Sequence, residues 1–244
     1  MTSPIYAIGD IHGQLEMLQH ALHLIERDGG RDAQIVFIGD YVDRGPDSRG
    51  VLDHLANAKQ AGRNWTFLLG NHDRMFARFL HDGSPAEAKL RVGEHWLHER
   101  LGGTETLASY GVDFEPDERF YRILDRVQAA VPQDHIDFLA KLATHHLSGE
   151  LLFAHAGIRP GIPVADQSEE DLIWIRQEFL EDPRPHPYLI VHGHTPAQRA
   201  EHRGNRINLD GGAGMGRPLV PAVFEGRDCW LLTDDGRVPL IPLE

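Results

Sequence analysis

The sequence predicts an α/β fold of two mixed β-sheets packed together and flanked by helices, with a helical insertion. Three short apolar runs are each followed by glycine and then by a polar side chain: residues 5–8 with Asp10, 35–38 with Asp40, and 65–69 with Asn71. The spacing is nearly constant, 40 − 10 = 30 residues and 71 − 40 = 31 residues. About 30 residues is the length of one strand–helix–strand unit with parallel strands. The three polar residues should therefore lie at the carboxyl ends of successive strands, where open α/β sheets bind ligands.

Two helices are expected between these strands. Residues 14–28 carry Leu15, Leu18, Leu22 and Ile25 at helical spacing, and Gly29-Gly30 ends the pattern. A second amphipathic helix is marked by Val51, Leu52, Leu55 and Ala58 and is closed by Gly62. Crossover helices of this kind connect parallel strands, and both should pack on one face of the sheet.

The pattern becomes helical from about residue 74 to about residue 144, which predicts an insertion within a single domain covering 1–244. Met75, Phe76 and Phe79 form an apolar stripe. A short helix is expected to open at Gly102-Gly103-Thr104, and another to begin at Pro132. The insertion either covers one side of the sheet or shapes access to the site, and the two roles are compatible.

The second half of the chain returns to strands. A strand over 151–154 leads to His155, and a strand over 188–191 leads to His192-Gly193-His194. A helix between them is expected to carry Leu172, Ile173, Ile175 and Phe179. Further short strands at 207–209, 219–224 and 229–233 indicate a second, mixed sheet packed on the first.

The glycine-rich stretch 211–216 is a candidate phosphate-binding loop. A dinucleotide-binding loop needs a helix that begins directly after it, to hold the phosphates at the helix N-terminus. Arg217-Pro218 follows instead. We therefore expect a tight loop near the site rather than a nucleotide-binding loop.

The polar residues at the predicted sheet edge suit a divalent metal. Asp10 and His12 offer a carboxylate and an imidazole from one turn, Asp40 could bridge two ions, and Asn71 adds a carbonyl oxygen. This mixture of oxygen and nitrogen ligands suits Mn, Fe or Zn better than Ca. A single Gly-Asp pair is usually a turn or a helix cap, but three in phase behind three apolar runs indicate a common site.

Composition narrows the class of protein. The net charge is −13 from 24 basic and 37 acidic residues, so a nucleic-acid partner is not expected. No apolar run approaches the length of a membrane span, and no signal pattern precedes the first strand, so a cytoplasmic location is expected. Cys229 is the one cysteine, which excludes an internal disulfide and a multi-thiolate metal site. Its apolar neighbours predict a buried strand residue, with a Cys-His nucleophile as the alternative.

The motifs resemble those of a known family. The blocks are Gly9-Asp10-x-His12-Gly13, Gly39-Asp40-x-Val42-Asp43-Arg44-Gly45, Gly70-Asn71-His72-Asp73, His155-Ala156-Gly157 and Gly193-His194-Thr195. Together they resemble the phosphoprotein phosphatase family of calcineurin-like metallophosphoesterases, in its bacterial Ser/Thr protein phosphatase branch. The resemblance spans roughly residues 5–215.

The resemblance implies a dinuclear metal centre, with two divalent ions, manganese foremost and iron or zinc as alternatives. Asp10, His12 and Asp40 would bind the first ion, and the second would be bound by Asp40, Asn71, His155 and His194. A hydroxide bridging the two ions would attack phosphorus directly. His192 is an alternative imidazole, since alternation on a strand points it the same way as His194, although the family's Gly-His-Thr motif selects His194.

The resemblance also implies residues that act on the phosphate. His72 would be the general acid that protonates the leaving group, supported by Asp43, and Arg44 would bind phosphoryl oxygens. Arg44 could instead pair with Asp43 or Asp47. Arg176, expected on a helix, would be a second phosphate-binding arginine, or alternatively an exposed arginine that pairs with Glu169 or Asp171.

Several departures from the eukaryotic family pattern bear on the substrate. The third motif ends in Asp73 rather than glutamate, a bacterial feature, and the fourth reads His-Ala-Gly rather than His-Gly-Gly.

The leading hypothesis is a phosphatase acting on phosphoserine and phosphothreonine in proteins, or on small phosphoesters. The alternative is a symmetrical dinucleoside tetraphosphate or other phosphoanhydride hydrolase, although that class usually carries glutamine in place of His12. A non-catalytic phosphoprotein-binding module is a third hypothesis, which the intact site disfavours. No membrane partner is expected, and the sequence does not indicate an oligomeric state.

Overall fold

Two β-sheets pack face to face in the computed structural model, which describes residues 3–115 and 118–243. The strands are β1 Ile5–Ile8, β2 Gln34–Phe37, β3 Trp65–Phe67, β4 His145–Ser148, β5 Leu151–Ala154, β6 Leu189–His192, β7 Glu201–His202, β8 Arg206–Asn208, β9 Ala222–Glu225, β10 Asp228–Thr233 and β11 Gly236–Pro239. The helices are α1 Leu15–Gly29, α2 Ser48–Gln60, α3 Asn71–Asp82, α4 Gly103–Ser109, α5 Phe120–Ala130, α6 Gln133–Leu139, α7 Glu169–Trp174 and α8 Gln177–Leu180. The predicted α/β fold with two mixed sheets and flanking helices is confirmed.

The first sheet has the order β11-β10-β9-β1-β2-β3. Strands β1, β2 and β3 are parallel, as the repeated spacing predicts, and β9 joins β1 in the antiparallel direction. Alternation along β1 separates two cores, because successive side chains point to opposite faces of a strand. Tyr6 and Ile8 pack with the helices, whereas Ile5 and Ala7 pack against the second sheet.

The second sheet has the order β4-β5-β6-β8-β7, with β5, β6 and β8 parallel. Phe153 and Val191 face the first sheet, and Leu152 and Ile190 face α7 and α8. Each sheet therefore has one face against the other sheet and one face under helices. The carboxyl ends of β1, β2, β5 and β6 meet at a common edge of this sandwich.

Helices α1 and α2 cover the outer face of the first sheet, as predicted, and α3 to α6 extend the same core. The helix expected over 14–28 is observed one residue later, at Leu15–Gly29. The predicted insertion contains α3 to α6, including α5, which the sequence pattern did not indicate. No helix in the described ranges is long and apolar enough to cross a membrane. The single domain over 1–244 stays a prediction.

Three expectations about the second half were wrong. The strands near 222 and 229 extend the first sheet beside β1 instead of building the second. The strand expected over 219–224 begins only at Ala222, and Pro218 and Pro221 lack the N–H that a ladder requires. The helix expected to run from Leu172 to Phe179 is two short helices, separated at Ile175 and Arg176.

Candidate active site

The six residues predicted as metal ligands lie together at the common edge of the sandwich. They follow β1 (Asp10, His12), β2 (Asp40), β5 (His155) and β6 (His194), or begin α3 (Asn71). All six are at most 5% exposed. Buried polar groups without partners are costly, so a cluster of this kind in the middle of a fold points to a function.

The backbone of these loops is unusual. Every non-glycine residue with a positive φ in residues 3–115 and 118–243 is one of the predicted site residues: His12, Asp40, Asp43, Arg44 and His194. A non-glycine residue in this region costs roughly 1–2 kcal/mol. Such outliers persist where the surrounding structure enforces them, and they concentrate at functional sites.

Close backbone approach explains two of the glycines in the motifs. A Cβ atom added at Gly70 would collide with the carboxylate of Asp40, and one added at Gly193 would collide with the carboxylate of Asp10. The glycines before Asn71 and His194 therefore leave room for a carboxylate from another strand. The glycines before Asp10 and Asp40 instead lie against the backbone of Leu209 and of Gly70.

Asp40 lies at the centre of the cluster. Its Oδ2 is 3.6 Å from Nε2 of His12, and its Oδ1 is 3.4 Å from Nε2 of His155. Two groups of potential metal-binding atoms share this carboxylate: one contains His12 and His72, and the other contains His155 and His194. Asp10 lies beside them, with both carboxylate oxygens accepting from the backbone N–H of His194.

Hydrogen bonds to the backbone define which ring nitrogens face the centre. Nδ1 of His12 lies 2.8 Å from the carbonyl of Val42, and Nδ1 of His155 lies 3.0 Å from the carbonyl of Ile38. Because a carbonyl only accepts, each Nδ1 carries the proton and each Nε2 presents a lone pair to the site. Backbone carbonyls commonly orient metal-binding histidines in this way.

The donor set fits a cation. Nε2 of His155, as an acceptor, lies 3.0 Å from Oδ1 of Asn71 and 3.4 Å from Oδ1 of Asp40, which are also acceptors. Oδ1 of Asn71 is in turn 2.8 Å from Nδ1 of His194. Lone pairs that converge at these distances repel one another unless positive charge lies between them. Imidazole, carboxylate and amide oxygen together suit a transition metal.

Burial sets the protonation of these groups. It lowers the pKa of His155 to about 3 and lowers the pKa of His12 and of His194, so the imidazoles are neutral. Burial, together with the neighbouring carboxylates, raises the pKa of Asp10 and of Asp40. Neutral imidazole and ionised carboxylate are the forms that bind metal, and bound cations would offset the repulsion between the carboxylates.

His72 and Asp43 form the expected pair. Nδ1 of His72 donates to Oδ2 of Asp43 over 2.6 Å, and both side chains are buried. Nε2 of His72 faces Arg44, whose guanidinium lies 3.1 Å from it and 2.7 Å from Nε2 of His12. Arg44 makes no salt bridge with Asp43 or Asp47 in the described ranges, so its charge is directed into the site.

Arg176 lies at the same opening as Arg44. It occupies the break between α7 and α8, with φ −133° and ψ −98°. Its side chain donates to Oγ1 of Thr195 over 3.4 Å, and it lies in the field of Asp40, Asp10 and Asp210. Within the described residues it forms no salt bridge with Glu169 or Asp171.

A cavity of about 620 Å³ opens in front of the cluster, and its lining includes Arg44, His72 and Arg176. This volume is within the usual size of a small-molecule site. The cavity brings the predicted acid and both predicted phosphate-binding arginines to one surface. The residue roles themselves stay predictions.

Three other predicted features have clear positions. The ring of His192 packs against Phe179, and its Nδ1 lies near the carbonyl of Gly193. It belongs to neither group of potential metal-binding atoms. Cys229 is buried in β10, and burial raises its pKa to about 12. Gly214, in the glycine-rich loop, lies against His12 and Arg44, as expected of a loop near the site.

Two carboxylates in the site were not assigned from the sequence. The carboxylate of Asp73 accepts from the backbone N–H groups of Asp40, Tyr41 and Gly70 at 2.8, 2.8 and 2.9 Å. Asp210 is buried near enough to Asp10 to raise its pKa. Asp210 lies two residues after the end of strand β8 and is followed by glycine. The pattern of a strand followed by an acidic residue, which indicated Asp40, could therefore also have indicated Asp210.

The chain belongs to the calcineurin-like phosphoesterases, whose family model matches residues 3–215. This confirms the resemblance to phosphoprotein-phosphatase-like enzymes. Members of this family are hydrolases with a dinuclear metal centre.

The relatives include two kinds of enzyme. The chain is 28% identical to the asymmetrical bis(5′-nucleosyl)-tetraphosphatase PrpE of Bacillus velezensis over 87% of this chain and 86% of that protein. It is 29% identical to the serine/threonine-protein phosphatase 2 of Escherichia coli over 86% of this chain and 87% of that protein. A crystal structure of a candidate diadenosine tetraphosphatase superimposes with a TM-score of 0.65, at 22% identity over 99% of this chain and 95% of that one. This last likeness concerns the fold alone.

Proposed function

We propose that this protein hydrolyses phosphate monoesters of alcohols, with phosphoserine and phosphothreonine in proteins as its substrate class. The observation that carries the proposal is the buried Asp43–His72 pair, with His72 facing the same cavity as Arg44 and Arg176. The protein partner is accordingly a phosphorylated protein, and small phosphoesters would fit the same site.

Two divalent cations, manganese foremost, complete the site in this proposal. Asp10, His12 and Asp40 would hold one, and Asp40, Asn71, His155 and His194 would hold the other. When bound, the pair supplies Lewis-acid activation of water and neutralises charge on the phosphate. The close approach of Nε2 of His155 to the acceptor oxygens of Asn71 and Asp40 supports this assignment.

The remaining work falls to side chains at the cavity. The guanidinium groups of Arg44 and Arg176 would bind phosphoryl oxygens, because a planar fork of donors matches two oxygens at once. His72 would donate its Nε2 proton to the oxygen that leaves with the alcohol. Its Nδ1–H bond to Asp43 would hold the ring in place and stabilise its protonated form.

The need for an acid separates the two substrate classes. A serine or threonine alkoxide is a strong base and leaves poorly unless it is protonated. The leaving group of a phosphoanhydride is itself a phosphate, which is stable as an anion. A buried carboxylate–imidazole pair beside the phosphate therefore favours alkyl monoesters, in which positioned acid catalysis is worth about 10²–10⁴-fold in rate.

The variant His72→Asn tests this proposal. On a phosphoserine peptide, kcat should fall by about 10²–10⁴-fold, because the leaving alkoxide loses its acid. On p-nitrophenyl phosphate, whose leaving group needs little protonation, the loss should be much smaller. Manganese content, measured by elemental analysis, should stay near the wild-type value. Equal losses on both substrates would contradict the assigned role, and an inactive wild type would contradict the function.

Dinucleoside tetraphosphate hydrolysis is the second candidate. It is favoured by the similarity to the Bacillus velezensis tetraphosphatase over most of both chains. The assay compares turnover of diadenosine tetraphosphate with that of the phosphopeptide at equal manganese. Faster hydrolysis of the tetraphosphate, with little loss in His72→Asn, would replace the first proposal by the second.

A further inference from the structure

The carboxylate of Asp43 is held by the helical insertion as well as by His72. Nε1 of Trp96 donates to Oδ2 of Asp43 over 2.9 Å and lies 3.2 Å from Oδ1. Oγ1 of Thr106 donates to Oδ1 over 2.7 Å. Because His72 also donates to Oδ2, both oxygens of this carboxylate are bonded, and donors on two sides define its plane.

The same hydroxyl also holds the backbone of Asp43. The N–H of Asp43 donates to Oγ1 of Thr106 over 2.8 Å and to Oγ of Ser48 over 3.0 Å. The two hydroxyls lie 3.1 Å apart. Thr106 therefore donates its one hydroxyl proton to the carboxylate of Asp43 and accepts from the main-chain N–H of the same residue.

This network crosses between distant parts of the chain. Trp96 and Thr106 belong to the insertion, 53 and 63 residues beyond Asp43, whereas Asp43 follows β2 in the sheet. The N–H of Arg44 also donates to the carbonyl of Gly102, just before α4. Asp43 and Arg44 both have positive φ, at 74° and 68°, so their loop needs outside support to keep its shape.

Because these contacts are buried, the loss of one donor would change the position of the Asp43 carboxylate. Asp43, Trp96 and Thr106 are each 0% exposed. No bulk water can replace a donor that is removed, so the freed oxygen would have to turn toward another partner. A turn of the carboxylate would draw it away from Nδ1 of His72, which has no other partner among the residues that the structure describes.

We propose that Thr106 and Trp96 are positioning residues for acid catalysis: by fixing the plane of the Asp43 carboxylate, they aim the ring of His72 at the leaving group. The inference rests on the proposed function, since it acts through the acid role of His72. Neither residue is among those that line the cavity. The insertion is thereby a working part of the active site as well as a cover for the sheet.

The test uses the full chain with manganese and compares a phosphoserine peptide with p-nitrophenyl phosphate. Thr106→Val keeps the shape of the side chain and removes its hydroxyl, and Thr106→Ser keeps the hydroxyl. Thr104→Val is a matched control, because Thr104 lies in the same short helix and bonds Glu105 rather than Asp43. Trp96→Phe removes the second donor, and thermal melting shows which variants fold.

Thr106→Val should lower kcat on the phosphopeptide by about 10–100-fold, the usual loss when an orienting partner is removed, and should lower it much less on p-nitrophenyl phosphate. In Thr106→Ser, the ratio of kcat on the phosphopeptide to kcat on p-nitrophenyl phosphate should stay near the wild-type value, and Thr104→Val should leave this ratio unchanged. Trp96→Phe should shift the ratio in the same direction as Thr106→Val, which keeps the test decisive where one variant fails to fold.

An unchanged ratio in Thr106→Val, whether or not both rates fall, would overturn the inference, because a merely structural role affects both substrates alike. A wild type that cleaves the phosphopeptide, with His72→Asn selectively impaired and Thr106→Val unimpaired, would overturn this inference alone. A wild type that does not cleave the phosphopeptide would overturn the proposed function and this inference with it.

Discussion

Arg176 gives the sharpest test of phosphate recognition, because its sequence context and its structure point to different roles. On a helix beside acidic residues it would be an ordinary surface charge. In the structure Asp171 pairs with Arg159 and Glu169 pairs with Arg74, whereas the charges acting on Arg176 include those of Asp40 and Asp10. The one hydrogen bond that its side chain makes in the described ranges is the long contact to Thr195, at 3.4 Å. A guanidinium placed in this way can still bind an incoming anion.

We expect Arg176→Ala to weaken binding of the phosphoryl group. A charge-assisted hydrogen bond is worth about 1.5–3 kcal/mol, and each 1.4 kcal/mol is about tenfold in an equilibrium or rate ratio. The variant should therefore lower kcat/KM by about 10–150-fold. Inorganic phosphate, which would use the same contact, should inhibit the variant at least about tenfold less strongly.

Arg159→Ala is the matched control for this variant. Arg159 lines the same cavity, but its guanidinium is bonded to both oxygens of Asp171 at 3.0 and 2.6 Å. Its removal should leave the inhibition constant for phosphate near the wild-type value. The assay is competitive inhibition of p-nitrophenyl phosphate turnover, with manganese content and thermal melting measured in parallel. Equal inhibition constants for wild type and Arg176→Ala would refute the reasoning.

Two further predictions concern the metal and the pH dependence of stability. Chelator treatment should abolish activity, and manganese should restore it. At a manganese concentration of about 100 times the dissociation constant, bound metal should add about 2.7 kcal/mol to the free energy of unfolding and raise the melting temperature by about 5–10 °C. Full turnover by rigorously metal-free protein would contradict the two-metal assignment. The carboxylate of Asp28 accepts hydrogen bonds from Arg237 and Tyr6, and these bonds, chiefly those from Arg237, lower its pKa. The ordinary pKa of an aspartate is about 4. The contribution of Asp28 to stability is therefore present above about pH 4 and is lost as the pH falls further. The melting temperature of Asp28→Asn should thus lie below wild type at pH 7 and approach it near pH 3, and a difference that grows on acidification would show the wrong sign.

The sequence was most informative where signals are local and periodic. A buried strand followed by glycine and a ligand is readable within six residues, and its recurrence at 30 and 31 residues implies parallel neighbours. That pattern alone places Asp10, Asp40 and Asn71 at one edge, as the structure has them. The same reasoning extends to His155 and His194, because each also follows an apolar strand.

The predictions of secondary structure and of strand pairing failed where long-range contacts determine the structure. Short strands such as β9 and β10 carry no local mark of the sheet they join, so their partnership with β1 could not be read from the pattern. The break at Ile175 and Arg176 lies inside a set of apolar residues at helical spacing, Leu172, Ile173, Ile175 and Phe179, and the sequence shows no proline or glycine there. The contacts of Trp96 and Thr106 with Asp43 span more than 50 residues. No spacing rule connects such positions.

Asp73 changes what one departure from the family pattern means. In the sequence, aspartate in place of glutamate at the end of the third motif bears on the substrate class. In the structure, its carboxylate is buried and binds three backbone N–H groups, two in the loop that carries Asp40 and one at Gly70. Asp40 holds a strained positive φ of 53°, and it is the residue shared by both groups of potential metal-binding atoms.

The loops after β2 and β3 are therefore joined through one carboxylate rather than shaped separately. Strain of roughly 1–2 kcal/mol at each of the five positive-φ residues is large against a typical net stability of about 5–15 kcal/mol, so fixed partners must hold these loops. Asp73 supplies such partners for the loop of Asp40, and Thr106 with Ser48 supplies them for Asp43. Asp73 is thus better understood as a support for the metal-binding geometry than as a determinant of substrate, and the choice of substrate falls to the residues that face the cavity.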